Sequence, residues 1–384
     1  MNNKLKKILL NVVRGTSVPV SNFGITVLGI KMYGGHSWGE VINIQLWSFF
    51  VVFLANWGNK EFLLRKFSTS PSSISGLFSS FFVTRTWLLL ACLPFFYFFS
   101  LQVAVLMVLF TALLHVYNSL ESLTIYFQKF SVHVWAEITA FVVVVILFLM
   151  VPEFNLNHVL LILCSSLGVK ILFLAAAHRD TLIDFSIATR FELLPVAFPF
   201  FLIAMAGWLQ SRIDVYLVNY YLDNSELANY RVISNSIILL QSISAFALFP
   251  FVKHLYRSKS LVVKKMELVL FVLGIPIVFF GMLGTYFLAN FYLQVELSNT
   301  VYMLAFLTAL PTFFYVVDIY KLYKEKLEKT ILWINVAAIL VNFSISIFLI
   351  KQHGISGALT GTFISQWLIL LLVKWRIKHN TPPL

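Results

Sequence analysis

Long apolar runs broken by short polar ones set the pattern of this chain. A transmembrane helix needs about 20 mostly apolar residues at a rise of 1.5 Å each. About twelve such stretches can be laid along the sequence, at roughly 9–31, 40–58, 77–99, 102–125, 134–151, 157–177, 195–222, 226–252, 267–289, 298–320, 330–350 and 354–373. Only residues 100–102 divide the third from the fourth. The pattern predicts an all-α polytopic membrane protein with about 12 transmembrane helices.

The polar connections add direction. HRDTLIDFSIATR (178–190), the longest link on the side of the termini, separates six spans from six. The expected organisation is an N-terminal six-helix lobe over 1–177 and a link lying along the membrane interface over 178–192. A C-terminal six-helix lobe over 193–373 and a tail over 374–384 follow. An even number of spans per half gives both halves one orientation, which fits a parallel repeat. With the termini and the even-to-odd connections on one side, 21 Lys and Arg fall there, and only Lys31 and Lys351 fall opposite. By the positive-inside rule both termini are cytoplasmic. The outward loops (YGGHSWGE, SLQ, PEFNLN, LDNSE, QVELS, KQHG) are too short to fold alone, so function must lie among the helices.

Composition agrees. The chain of 384 residues is 60% hydrophobic and 11% charged, with a mean hydropathy of +0.88, against about 45–50% and about 25% in soluble domains. A net charge of +12 would point to nucleic acid, but the one-sided loop distribution accounts for it and no nucleic-acid partner is expected. MNNKLKKILL opens like a signal peptide, yet Arg14, Pro19 and the lack of a small-x-small cleavage site make it a retained first helix. Cys92 and Cys164 sit in apolar runs without CxxC spacing and read as small buried hydrophobes. GxxxxGK[ST], HExxH and GxSxG are all missing, so no catalytic residue, metal site or cofactor is expected.

Charge inside the spans is the candidate chemistry. A charged side chain at mid-bilayer costs about 2.5–3.5 kcal/mol on insertion scales and normally faces a partner or water. In WLQSRIDVYLVN, Arg212 and Asp214 are two residues apart, roughly 200° around a helix, so they do not pair with each other unless the helix breaks. Arg212 lies about 15 Å below the outer surface by helical rise. Asp214 and Arg231 share a depth and are expected to pair, as are Arg85 and Glu121. Arg14 either snorkels to the inner surface or faces the interior. Glu137 and Asp318, about a turn from span ends, are expected to be solvated. The central excess is cationic, which suits an anionic or amphiphilic cargo, since guanidinium binds phosphate bidentately.

Three stretches carry a family resemblance. GEVINIQLWSFFVVFLANWGNKEFLLRKFS has a Trp-Gly turn followed by an arginine, here Gly58 and Arg65. SRIDVYLVNYYLDNSELANYRVISN has an aspartate in the seventh span followed by a Gly/Ala-x-Tyr at the start of the eighth, here Asp214, Ala228 and Tyr230, with Ala228 where glycine is frequent. QHGISGALTGTFISQ has a Gly-Ile-x-Gly-Ala entry into the last span. Together they resemble the bacterial O-antigen and capsule repeat-unit flippases of the multidrug/oligosaccharidyl-lipid/polysaccharide exporter superfamily. The resemblance implies two six-helix bundles around a central cationic cavity and alternating access. It also implies an undecaprenyl pyrophosphate-linked oligosaccharide as cargo, with membrane lipids and a polysaccharide polymerase machinery as partners. Arg212, Arg14, Arg85 and Arg231 would bind the substrate, supported by Asp214 and Glu121. Two alternatives stay open: a polymerase- or ligase-type membrane enzyme, which would need a long outward loop, and an ion-coupled multidrug exporter, which would need buried carboxylates.

Overall fold

The computed structural model describes residues 3–248, 260–325 and 327–380, with no strand among them. The end expected for the eighth span (249–252), the loop cations Lys253, Arg257, Lys259 and Lys326, and residues 381–384 lie outside the described residues.

Over its described residues each expected stretch falls largely on helix. The first two are α1 (Asn3–Tyr33) and α2 (Gly35–Asn56), followed by a polar helix outside the expected spans, α3 (Asn59–Thr69). The third span is composite: α4 (Ile74–Thr86), a 3-10 stretch (Trp87–Cys92) and the short α5 (Phe95–Phe98). Then come α6 (Leu101–Tyr126), α7 (Phe130–Met150), α8 (Leu156–Ala177) and the five-residue α9 (Arg179–Ile183). The seventh span is broken into α10 (Leu193–Gln210) and α11 (Ile213–Tyr221). The remainder is α12 (Asn224–Leu248), α13 (Ser260–Phe287), α14 (Asn299–Ala309), α15 (Pro311–Lys324) and α16 (Glu328–Asn380). The last holds both final spans, kinked at Gly354 (φ 53°, ψ −131°), a left-handed position that glycine takes without a Cβ penalty.

The burial pattern is that of a chain solvated by lipid. Leu172, Phe280 and Phe348 are about 70% exposed on the outside, while the interior collects Ser79, Ser80, Thr84, Ser119, Ser122 and Thr308. Lipid tails are as apolar as leucine, so helices associate instead through close packing of small residues and internal hydrogen bonds. The buried hydroxyls are satisfied locally: Thr84 donates to Ser80 O, Ser119 to His115 O and Thr308 to Leu304 O, each at 2.7 Å. Cys92 and Cys164 are buried free thiols.

Two compact units result, one of residues 1–17 and 40–205, the other of 18–39 and 206–384. Their boundaries fall inside α1, α2 and α10. The link docks on the first unit, where Ser75 Oγ donates to Thr181 O (2.7 Å) and the Arg190 N–H to Thr84 Oγ1 (2.8 Å). The start of α10 stays there too, since Trp57 Nε1 donates to Leu194 O (2.9 Å) and the Trp57 ring stacks on Phe201 at 4.5 Å. In the second unit, Asn235 on α12 donates to Thr26 Oγ1 on α1 at 3.2 Å. The first core gathers Phe62, Phe67, Phe81, Leu120 and Leu174, and part of the second gathers Leu322, Ile331, Ile334 and Ile369.

Candidate functional site

In the second unit the chain breaks where the charges are. Residues 211–212 form a turn, and Arg212 (φ −142°, ψ −9°) precedes the first residue of α11. Asp214, in the first turn of α11, is 5% exposed. A carboxylate there is favoured by the positive end of the helix dipole. Its oxygens accept from the Val215 N–H (2.8 Å), the Thr362 hydroxyl (3.1 Å) and the Tyr230 hydroxyl.

The expected Asp214–Arg231 ion pair is not formed; Tyr230, one residue earlier on α12, takes its place. Neighbouring helical residues point about 100° apart, so the tyrosine that faces Asp214 turns Arg231 aside. Arg231 is 8% exposed, and its Nη1 finds no hydrogen-bond partner among the described residues. Arg212, Arg231 and Asp214 remain within electrostatic reach of one another. Beside them is a small cleft of about 30 Å³ lined by polar Gln210, Ser211, Asp214, Ser234, Gln241, Thr362 and Gln366, with Ile237 and Ile238.

In the first unit Glu121 on α6 pairs with Arg14 (2.8 Å) and lies 3.8 Å from Lys60. The expected Arg85–Glu121 pair is therefore also replaced. Arg85 is wholly buried; it donates to Ser119 Oγ (2.9 Å) and Asn56 O (3.4 Å) and lies 4.8 Å over the Phe81 ring. Ser119 and Glu121 are two residues apart on one helix, roughly 200° around it. A group that reaches the one cannot reach the other. Arg14, held by Glu121 and lying 5.6 Å over the Phe130 ring, does not snorkel.

Two carboxylates expected in solvent are buried instead. Glu137 is 1% exposed, pairs with Lys170 at 2.8 Å and accepts the Tyr117 hydroxyl at 2.6 Å. Asp318 is 1% exposed and bound by Lys321 (2.9 Å) and Lys374, with Lys321 also reaching Glu267. Distance from a helix end sets depth but not the face presented, and both residues face other helices. Just beyond α8, His178 is 2% exposed with Nε2 3.1 Å from Thr124 Oγ1. Burial first, and the charge of Lys129 second, push its pKa down to about 4.

One further feature was not singled out as a site by sequence. The helix pair α2–α3 turns through two successive left-handed residues, Trp57 (φ 43°) and Gly58 (φ 69°). A Cβ on Gly58 would sit 2.7 Å from the Phe201 backbone nitrogen. The turn borders a cleft of about 160 Å³ lined by Phe53, Asn56, Gly58, Asn59, Lys60, Glu61, Asn118, Glu121 and Ala204. Its signal in the sequence is the polar run NWGNKE, which closes an otherwise apolar span.

No protein-family model matches the chain, and no curated protein sequence does. Solved structures do. The lipid II flippase MurJ in an inward closed conformation superposes with a TM-score of 0.69 at 16% identity, covering 97% of this chain and 87% of its own. The eukaryotic MATE transporter AtDTX14 gives 0.66 at 14% identity, covering 98% and 96%. An inward-facing multidrug resistance MATE family transporter of the MOP superfamily gives 0.62 at 12%, covering 97% and 95%. The chain has the fold of these membrane transporters over nearly its whole length.

Proposed function

We propose that the chain is a flippase that carries an undecaprenyl pyrophosphate-linked oligosaccharide repeat unit across the bacterial cytoplasmic membrane by alternating access. The observation that carries this reading is the buried cation beside Asp214. The oxygens of Asp214 are taken up by Val215, Tyr230 and Thr362, and Arg231 keeps a buried Nη1 without a hydrogen-bond partner among the described residues. Leaving a buried donor unsatisfied costs about 1–3 kcal/mol. An anion that arrives with the cargo removes that cost, and guanidinium matches phosphate oxygens two at a time. Arg231 and Arg212 are the pyrophosphate ligands in this reading. Arg14 and Arg85, already engaged by Glu121 and by Ser119, hold the first unit together.

The fold shared with a lipid II flippase supports a lipid-linked cargo, and the one-sided loop cations support cytoplasmic termini. The cargo would leave into the outer leaflet, within reach of a polysaccharide polymerase machinery. The experiment is complementation of a deletion strain. Wild type should relieve a build-up of lipid-linked repeat units on the inner leaflet, and Arg231→Gln should not. Normal export in the deletion strain would overturn the reading.

A second reading, an ion-coupled exporter of cationic compounds, is favoured by one observation: Glu137, Asp318 and Asp214 are all buried carboxylates. It requires the deletion strain to become sensitive to cationic drugs while its repeat-unit export stays intact.

A further inference from the structure

We propose that the cleft beside the Trp57–Gly58 turn binds a neutral, hydroxyl-rich ring, and that, on the flippase reading above, this is the sugar of the cargo rather than its phosphate. The cleft of about 160 Å³ lies wholly within the first unit. At about 10–15 Å³ of such space per water, it has room for roughly 11 to 16 waters, a space on the scale of a monosaccharide ring.

Two of the side chains that line it carry orphaned polar atoms. Asn59 is 3% exposed and its amide nitrogen donates to Asn118 O at 3.2 Å, while its Oδ1 is buried with no partner. The Oδ1 of Asn56 is likewise buried and unmatched. Two orphaned acceptors call for donors. A sugar hydroxyl donates, whereas the oxygens of an ionised phosphate only accept. Charge argues the same way: Lys60 is balanced by Glu121 at 3.8 Å and by Glu61 on the same wall, so no cation excess awaits an anion. Phe53 supplies the apolar surface on which a ring face packs. The strained turn fixes Asn56 and Asn59 on either side of it. Left-handed backbone at a non-glycine such as Trp57 persists only where its surroundings hold it, here through the bond to Leu194 O and the stack on Phe201.

The same hydroxyl chemistry could come from a membrane glycolipid, so the test uses full-length protein in nanodiscs of phosphatidylcholine alone. Saturation-transfer NMR is recorded with methyl glycosides of common hexoses, hexosamines and deoxyhexoses, and with glycerol. At least one glycoside should receive saturation and glycerol should not. Ala204→Phe, which fills the cleft, and Asn56→Leu, which keeps its size and removes the acceptor, should each weaken the signal about tenfold. Inorganic pyrophosphate should leave it unchanged. The assignment is overturned by silence across the glycosides, by a signal that survives both variants, or by displacement with pyrophosphate. Adding brain glycolipid to the discs separates the sources: a cargo site keeps its glycoside signal, and a glycolipid site loses it. If glycosides bind but the deletion strain exports normally, the flippase reading falls and the sugar site stands. If export fails in the deletion strain while no glycoside binds, only the sugar site falls.

Discussion

The Thr362 hydroxyl donates to Asp214 Oδ2 over 3.1 Å, tying the second half of α16 to the first turn of α11. Since Tyr230 and the Val215 N–H hold the same carboxylate, Thr362→Val removes one of three donors from a buried anion. The expected cost is about 1–3 kcal/mol, read as a lower unfolding midpoint in detergent. Thr362→Ser should restore it, because the hydroxyl rather than the methyl makes the contact. A midpoint that does not move would show that Asp214 does not need this bond.

The Glu137–Lys170 pair, buried between α7 and α8 at 2.8 Å, should show strong coupling. Lys170→Met leaves Glu137 charged and unpaired and is expected to cost about 3–5 kcal/mol. The double variant Glu137→Gln, Lys170→Met removes both charges and should recover most of that loss. Thermal unfolding of the two single variants and the double measures the coupling directly; additive losses would mean that the pair is not a unit.

The apolar helices were legible because period and length alone mark them, and nine among the described residues are long and apolar enough to cross a membrane. Partnership was not legible, because it depends on azimuth. Depth arithmetic placed Asp214 level with Arg231 but could not distinguish it from Tyr230, whose position differs by 1.5 Å of rise and about 100° of rotation. Glu121 similarly meets Arg14 on the distant α1 instead of Arg85 on the adjoining span. The break before α11 was not legible either. Ser211-Arg212-Ile213-Asp214 has the S-x-x-D form of a helix start, but Ser211 Oγ donates back to Trp208 O and Arg212 stands at the cap without a side-chain capping bond. The orphaned amide oxygens of Asn56 and Asn59 leave no trace in sequence, since they depend on what the folded chain fails to place beside them.

Gly58 is expected to reject a side chain. Its φ of 69° disfavours any Cβ, and the new carbon would lie 2.7 Å from the Phe201 nitrogen. Gly58→Ala should therefore lower stability by about 1–3 kcal/mol. It should also weaken the Trp57–Phe201 stack, visible as a change in tryptophan fluorescence. Gly168→Ala on α8, where nothing lies within 4 Å of the added carbon, is the control and should show no loss. Equal behaviour of the two variants would mean that the turn is not constrained.

His178 should make stability fall on acidification. Folding holds its pKa down at about 4, against about 6.5 in the unfolded chain. Between those values the unfolded chain takes up a proton that the folded chain refuses. Its contribution is therefore complete above about pH 6.5 and is lost progressively towards about pH 4. His178→Gln should flatten the dependence of the unfolding midpoint on pH across this window. An unchanged slope would place the acid-sensitive group elsewhere.

Arg231 and Arg85 separate binding from support. Both are buried and each keeps one orphaned nitrogen among the described residues, Nε of Arg85 and Nη1 of Arg231, but both Nη atoms of Arg85 are engaged, by Ser119 and Asn56. If Arg231 awaits the anion of the cargo, Arg231→Gln forfeits a charge-assisted hydrogen bond worth roughly 1.5–3 kcal/mol, or about 10- to 100-fold in transport. The variant should still reach the membrane at normal level, because no ion pair is broken. Arg85→Met keeps an apolar stem against the Phe81 ring and should transport like wild type, with at most a shifted unfolding midpoint. Measuring inner-leaflet repeat units and membrane abundance in the two complemented strains decides between them. Loss of transport in Arg85→Met at normal abundance, with Arg231→Gln active, would reverse the assignment and move the anion site to the first unit.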